Sequence, residues 1–142
     1  MKAIFTCALL LFVGTICNAQ LNFGLGTQVV LDNIVFGTQG KVMYELEDKW
    51  RVSATFTYHF DREFDWTIDS DIHYKLITLG SDTHLAPLVG FNINNGPLRG
   101  IDIGANLGVF ADFLIENFRL YIEPKFVFKQ QSTFVISGGF FF

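Results

Sequence analysis

Charged side chains share alternate positions with small residues in several segments whose other residues are apolar. Glu45 and Arg51 flank one short polar turn, and Asp112 and Arg119 flank another. Because buried charges are stable only when they are paired, the two turns predict the ion pairs Glu45–Arg51 and Asp112–Arg119. The candidate ion-pair site comprises Glu45, Arg51, Asp112, Arg119, Glu123 and Lys125. Such a set would form a polar plug or, if a path stays open between the side chains, a narrow ion pathway.

Two histidines beside a run of acidic residues form a second candidate site. His59 and His73 are equally distant from the middle of the segment Asp61–Ser70, so we expect them to lie nearly opposite each other. Imidazole and carboxylate groups can bind a divalent metal or change charge near neutral pH. The spacing matches no metal motif such as H-E-x-x-H, so we predict neither a metal site nor a cofactor. The residues to examine for a metal are His59, His73, Asp61 and Asp71.

The sequence contains no workable arrangement of catalytic residues. Ser53 and His59 fall on the same face of one predicted strand, six residues apart. That spacing corresponds to about 20 Å along a strand, which is too far for a nucleophile and its base. The motif G-x-S-x-G is absent, and residues 37–41 (G-T-Q-G-K) lack the spacing of a phosphate-binding loop. We therefore predict that the protein is not an enzyme.

The segment Trp50–Phe60 shows the pattern that would position these charges. Apolar and polar residues alternate over all eleven of its positions. Such a strand has one apolar and one polar face, and its length suits a tilted strand that crosses a bilayer. The alternation recurs in Gln20–Val30, Thr38–Leu46, Asp71–Leu79, Leu85–Ile93, Ile101–Phe113, Phe118–Phe128 and Phe134–Phe142. The longest predicted loop is Asp61–Ser70, and Pro87 predicts a local break or bulge in its strand.

The face that carries the charges also carries strand glycines such as Gly24, Gly104 and Gly108. Small and charged residues suit a narrow lumen, and large apolar residues suit lipid. The sequence therefore predicts an all-β fold, an eight-stranded antiparallel up-and-down transmembrane β-barrel. The alternative is a soluble, lipocalin-like barrel that binds an apolar ligand in its interior. The predicted membrane girdles contain Tyr44, Trp50, Tyr58, Phe60, Phe118, Phe128, Phe134, Phe140 and Phe142.

Residues 1–19 have the order of a secretory signal peptide. Lys2 precedes the apolar run Ala3–Val13, and small residues lead to a plausible cleavage site after Ala19. The run is shorter than the roughly 20 residues that a spanning helix needs, so residues 20–142 are expected to be exported as one domain. Both cysteines lie in the predicted signal, and a net charge of −4 disfavours nucleic acid as a partner.

The signal peptide, the eight alternating segments and the aromatic end Phe140-Phe141-Phe142 carry a family resemblance. The chain resembles the small outer-membrane β-barrel proteins of Gram-negative bacteria, of the OmpX and OmpA transmembrane-domain type. The resemblance implies a location in the outer membrane, with lipid, the barrel-assembly machinery and another envelope protein as partners. It implies a structural or interaction role with a plugged lumen, and a narrow channel or transporter for small solutes or ions is the alternative.

Overall fold

The structure is a computed structural model that describes residues 21–60, 66–96 and 100–142, and its regular structure is β-strand. The strands are β1 (Leu21–Val30), β2 (Val35–Glu45), β3 (Trp50–His59), β4 (Trp66–Tyr74), β5 (Ile77–Leu79), β6 (Thr83–Gly96), β7 (Gly100–Ile115), β8 (Phe118–Phe128) and β9 (Thr133–Phe141). The described ranges contain no helix that is long and apolar enough to cross a membrane. The predicted signal peptide, residues 1–19, lies outside the described residues.

The sheet closes on itself to form a barrel. Apart from β4 and β5, strands that follow one another pair antiparallel, β1 pairs with β9, and β4 pairs with β6. The short β5 pairs with β6 beyond the end of β4, so β4 and β5 occupy one position in the wall. The wall therefore has eight strand positions, which confirms the predicted eight-stranded antiparallel barrel.

The register around the wall defines the tilt of the strands. The row of directly paired residues runs Leu21, Tyr44, Val52, Ile72, Val89, Leu107, Phe126 and Phe134. The circuit closes at Leu31, the residue that follows β1. The backbone N–H of Leu31 donates to the carbonyl oxygen of Phe134 at 3.0 Å. One circuit therefore ends ten residues further along the chain than it began. A stagger of this kind requires strongly tilted strands and leaves an interior just wide enough for side chains.

The predicted orientation of the two faces is confirmed. Phe56, Phe91 and Phe126 are 51%, 69% and 50% exposed, whereas Arg51 and Glu123 are at most 1% exposed. Apolar side chains thus cover the outside of the barrel, and charged side chains point into the lumen. A lipocalin-like barrel has the opposite arrangement, so the alternative of a soluble barrel with an apolar interior is wrong.

The predicted register of the β2–β3 hairpin is also confirmed, but the predicted position of the fourth strand is wrong. Glu45 pairs with Arg51 and Tyr44 with Val52, as the turn predicts. The fourth strand begins at Trp66 rather than at Asp71. The reason is that the alternation begins at Trp66: Trp66 and Ile68 point outward, and Thr67 and Asp69 point inward.

The predicted irregularity at Pro87 lies on the neighbouring strand. Leu85 pairs with Ile77, and Leu88 pairs with His73. The three residues 74–76 therefore lie opposite the two residues 86–87 of β6. The N–H of Leu76 also donates to the carbonyl of Leu85 at 3.0 Å. This is the pattern of a β-bulge. It explains how two consecutive apolar residues, 76 and 77, can both stay on the outer face.

Glycines on the inner face make room for large lumen side chains. A Cβ on Gly139 would lie 2.2 Å from the Leu25 carbonyl oxygen and 2.8 Å from the Tyr121 hydroxyl. Gly40, on the outer face, has nothing within 4 Å of the equivalent position. Gly40 pairs with Phe56, but the open space shows that the Phe56 ring does not cover it.

We expect Gly139→Ala to destabilise the barrel by about 1–3 kcal/mol, because the new methyl group would overlap backbone atoms that the sheet holds in place. The matched variant Gly40→Ala places the same methyl group in open space and should change the free energy of unfolding by less than about 0.5 kcal/mol. Urea unfolding in lipid vesicles measures both. Equal stability of the two variants would contradict the close packing at Gly139.

Candidate functional site

The candidate site is the lumen itself, where inward side chains sort into four layers along the barrel axis. The lower charged layer, at the end where β1 begins and β9 ends, contains Glu45, Arg51, Lys75, His84, Asp112 and Arg119. The apolar layer contains Met43, Ala86, Leu88, Phe110, Tyr121 and Phe141. The middle charged layer contains Lys41, Asp69, Asp71, Asn106, Glu123 and Lys125. The upper polar layer contains Gln28, Thr57, His59, Thr67, Asn92 and Asn94.

The lower charged layer is centred on Arg51 and Asp112. Arg51 Nε lies 3.1 Å from Glu45 Oε1, and its Nη1 lies 2.8 Å from Asp112 Oδ2. Arg119 Nη1 reaches the same Asp112 oxygen at 3.0 Å. The β7–β8 register places Leu114, not Asp112, directly opposite Arg119. The Asp112–Arg119 contact is therefore diagonal across the two strands.

The apolar layer was not predicted from the sequence. Phe110 is fully buried, and its ring stacks on Tyr121 with centroids 5.7 Å apart. Phe141 lies against the same tyrosine at 4.9 Å, and Gln39 Nε2 donates to the Tyr121 hydroxyl at 2.6 Å. The alternation could have predicted the inward position of Phe110, because this residue shares the face of β7 that carries Asn106 and Asp112.

One polar pair lies beside the apolar layer. His73 Nε2 and Ser53 Oγ are 2.8 Å apart, and the imidazole packs edge-on against Phe110 with centroids 4.9 Å apart. A serine and a histidine at this distance could in principle act as nucleophile and base. His73 has no exposed surface, so no substrate can reach the pair in this structure.

The middle charged layer is a buried network around Lys125. Its ammonium group lies 3.2 Å from Asp69 Oδ2, 3.3 Å from Asp71 Oδ2 and 3.2 Å from Glu123 Oε1. Lys41 Nζ donates to the other oxygen of Glu123. All five charged side chains are at most 1% exposed. Of these contacts, the sequence predicted the participation of Glu123 and Lys125 but not of Lys41, Asp69 or Asp71 as their partners.

Amide side chains connect the middle charged layer to the upper end of the lumen. Asn94 Nδ2 donates to Asn92 Oδ1 at 3.1 Å, and Asn92 Nδ2 donates to Asp69 Oδ1 at 2.7 Å. Beside them lies a cavity of about 20 Å³, which is enough for about one water molecule. Its lining consists of Gln28, Val30, His59, Thr67, Asn92, Val127, Lys129, Thr133 and Val135.

The two histidines considered for a metal do not come together. The β3–β4 register places His73 opposite Arg51, so the predicted juxtaposition of His59 and His73 is wrong. The reason is that β4 begins five residues earlier than predicted, which shifts every partner along β3. His59 bonds to Thr67 at 3.0 Å, and Asp61 lies outside the described residues. Within the three described ranges, no three His, Cys, Asp or Glu side chains are grouped to hold a metal ion.

The aromatic residues proposed for the girdles all lie on the outer face. Those with more than a third of their surface exposed are Trp50, Tyr58, Phe60, Phe118, Phe128, Phe140 and Phe142. Tyr44 and Phe134 are half-buried by their neighbours on the same face. Tyr74 and Trp66 lie beside these residues on the outer face. Tyr74 packs on Trp50 with ring centroids 4.9 Å apart, and Trp66 pairs with Tyr58.

Comparison with solved structures identifies the fold. The chain is similar to the N-terminal β-barrel domain of Pseudomonas aeruginosa OprF, with a TM-score of 0.64 and 18% identity over 88% of this chain and 98% of that chain. It is similar to Ail of Yersinia pestis in complex with the heparin analogue sucrose octasulfate (TM-score 0.57, 15% identity, 87% of this chain and 99% of that chain). It is also similar to a de novo designed transmembrane β-barrel (TM-score 0.54, 13% identity, 87% and 95%).

No family model and no curated protein matches the sequence. At these identities the solved structures establish the fold alone. The chain has the fold of an eight-stranded transmembrane β-barrel, and its outer apolar face and filled polar lumen agree with that fold.

Proposed function

We propose that this protein is an outer-membrane β-barrel with a structural or interaction role in the cell envelope, a lumen plugged by its own side chains, and no catalysis. The observation that carries the proposal is the filling of the lumen. Arg51, Phe110 and Lys125 belong to three successive layers, and each is at most 1% exposed. A solute that crosses the barrel would have to displace all three layers.

The outer surface supports a location in the outer membrane. A membrane barrel needs a continuous apolar belt with aromatic residues near both interfaces. The apolar outer face of the described strands, with its exposed aromatic side chains, supports this location. A predicted signal peptide supports export from the cytoplasm, and we propose that it is cleaved after Ala19. The exposed aromatic residues at the end of β9 and directly after it, Phe140 and Phe142, support recognition by the barrel-assembly machinery.

The partners that we propose are outer-membrane lipid and another envelope protein. Ail was solved with sucrose octasulfate, a polyanion. This chain has a net charge of −4, and an acidic protein is a poor receptor for polyanions. We therefore do not extend that ligand class to this protein, and we place the interaction role on its lipid-embedded wall and its loops.

The alternative function, a narrow channel, is supported by the amide connection from Asn94 to Asp69 at the upper end of the lumen. That connection supplies polar groups for a small solute over part of the path. The apolar layer argues against conduction through the remainder, because an apolar constriction excludes ions by excluding water. The plug is therefore the better-supported function.

Planar-bilayer recording with the purified, folded full chain tests the plug. We expect no steady openings at moderate voltage. Steady single-channel openings from the wild-type protein would favour the channel instead. Fractionation of the producing cells tests the location, because an outer-membrane barrel should sediment with the membranes, and recovery in the periplasmic supernatant would contradict the proposal.

A further inference from the structure

One nitrogen atom in the lower charged layer contacts two partners of opposite hydrogen-bonding character. His84 Nδ1 lies 2.9 Å from Asp112 Oδ1 and 3.0 Å from Arg119 Nη1. A carboxylate can only accept a hydrogen bond from this nitrogen, and a guanidinium can only donate one to it. The first hydrogen bond therefore requires a proton on Nδ1, and the second requires that Nδ1 carries none. The two hydrogen bonds cannot exist at the same time.

The side chains around His84 come from every neighbouring part of the wall. On β5 its paired residue is Thr78, which is uncharged. The charged groups of the layer are Asp112 on β7, Arg119 on β8, Arg51 on β3, Glu45 on β2 and Lys75 directly after β4. Among these types of side chain, histidine is the one that ordinarily changes charge between about pH 5 and pH 8. The choice between the two hydrogen bonds of Nδ1 therefore falls in that range of pH.

Exposure decides which side chain moves when Nδ1 gains a proton. His84 and Arg119 would then point N–H groups at each other, and their contact would become repulsive. The side chains of Asp112 and Arg51 are each 1% exposed, and Arg51 is also held by Glu45. The Arg119 side chain is 28% exposed, so water can replace its contacts in the barrel. Arg119 is therefore the group that can leave.

We propose that His84 is a pH-sensitive latch for Arg119 at the lower end of the lumen. At neutral and higher pH, Nδ1 carries no proton, accepts a hydrogen bond from Arg119 and holds the guanidinium beside Asp112. In acid, water supplies a proton to Nδ1, His84 donates to Asp112 Oδ1, and the Arg119 side chain turns out into the solvent. The lower end of the lumen then widens.

The latch goes beyond the plug and does not depend on it. Asp112 keeps a counter-charge in both states, because Arg51 Nη1 lies 2.8 Å from its Oδ2. The apolar layer contains none of the groups that exchange partners, so the lumen stays closed in acid. Only the charge and the width of its lower end change with pH.

Nitrogen-15 NMR of the folded wild-type chain, with labelled histidine and assignment from the wild-type backbone resonances, tests the latch directly. The chemical shift of a ring nitrogen reports whether it carries a proton. We expect His84 Nδ1 to carry none at about pH 8 and to carry one at about pH 5. A proton on Nδ1 at both pH values, or at neither, would overturn the proposal. This measurement needs no variant, so it decides the question even where a variant fails to fold.

Urea unfolding in lipid vesicles measures how strongly Arg119 is held at each pH. Arg119→Gln should lower the folding equilibrium constant roughly tenfold at about pH 8, the low end of the range for a hydrogen bond to a charged group. At about pH 5 the loss should be less than about threefold, because the Arg119 side chain is then solvated. Each loss is taken relative to the protein with Arg119 at the same pH, so that other titrating groups cancel. An equal loss at both pH values would overturn the latch.

Two histidine variants assign the pH dependence. In His84→Asn, position 84 cannot titrate, and Arg119→Gln should cost the same at both pH values. His59→Asn removes a histidine from the upper polar layer, where His59 bonds to Thr67, and should leave the pH dependence of the Arg119→Gln loss intact. Persistence of that dependence in His84→Asn, or its disappearance in both backgrounds, would overturn the assignment to His84.

Discussion

Lys125→Met should lower the free energy of unfolding by about 3–5 kcal/mol, which is the range for removing one partner of a buried ion pair. Methionine keeps most of the volume of the lysine side chain and removes only the ammonium group. Asp69, Asp71 and Glu123 would then share the middle charged layer with Lys41, the cation that remains there among the described residues. The penalty arises from the uncompensated carboxylates and not from lost packing. Urea unfolding in lipid vesicles measures the change.

Two further variants make the Lys125 result specific. Lys49→Met removes the same group from an exposed turn and should change stability by less than about 0.5 kcal/mol. The double variant Lys125→Met/Asp71→Asn removes one uncompensated charge and should recover part of the lost stability. If Lys125→Met is no less stable than Lys49→Met, the middle charged layer does not stabilise the barrel as described.

The contacts that the sequence could predict are those fixed by a single turn. The tight turn after β2 determines the register of its hairpin, so the Glu45–Arg51 pair follows directly from the alternation. Contacts across the lumen follow from closure and stagger, which no local pattern encodes. Lys41 and Glu123 are 82 residues apart in the sequence, and Arg51 and Asp112 are 61 apart. The alternation within single strands therefore does not predict these two ion pairs.

The apolar layer shows a different limit. An aromatic residue in a membrane barrel is first assigned to the lipid face, because that is where most of them lie. Phe110 and Phe141 instead point inward, each in phase with polar or small neighbours along its strand. The position of each residue along its strand, and not its residue type, decides whether it points inward, because a closed barrel fixes the face of every position. Tyr121 completes the layer since Gly26 and Gly139 leave space beside its hydroxyl.

Phe110→Ala should lower the free energy of unfolding by about 3–5 kcal/mol, the range for removing a buried aromatic side chain. It should also convert the silent barrel into one that shows openings in planar bilayers. The reason is that the ring fills the lumen between the two charged layers and contacts both Tyr121 and Phe141. Without it, water can connect the lower charged layer to the middle one, and ions can follow the water.

The control for this result is Phe126→Ala, which removes the same ring from the lipid face, where Phe126 is 50% exposed. That variant should remain silent. Arg119→Ala, which breaks an ion pair of the lower layer, should also remain silent, because the apolar layer above it is untouched. Openings in Arg119→Ala together with silence in Phe110→Ala would show that the ion pairs close the lumen. We expect the apolar layer to be the barrier to ions, because the charged layer at the partly exposed mouth already contacts water, whereas the buried rings do not.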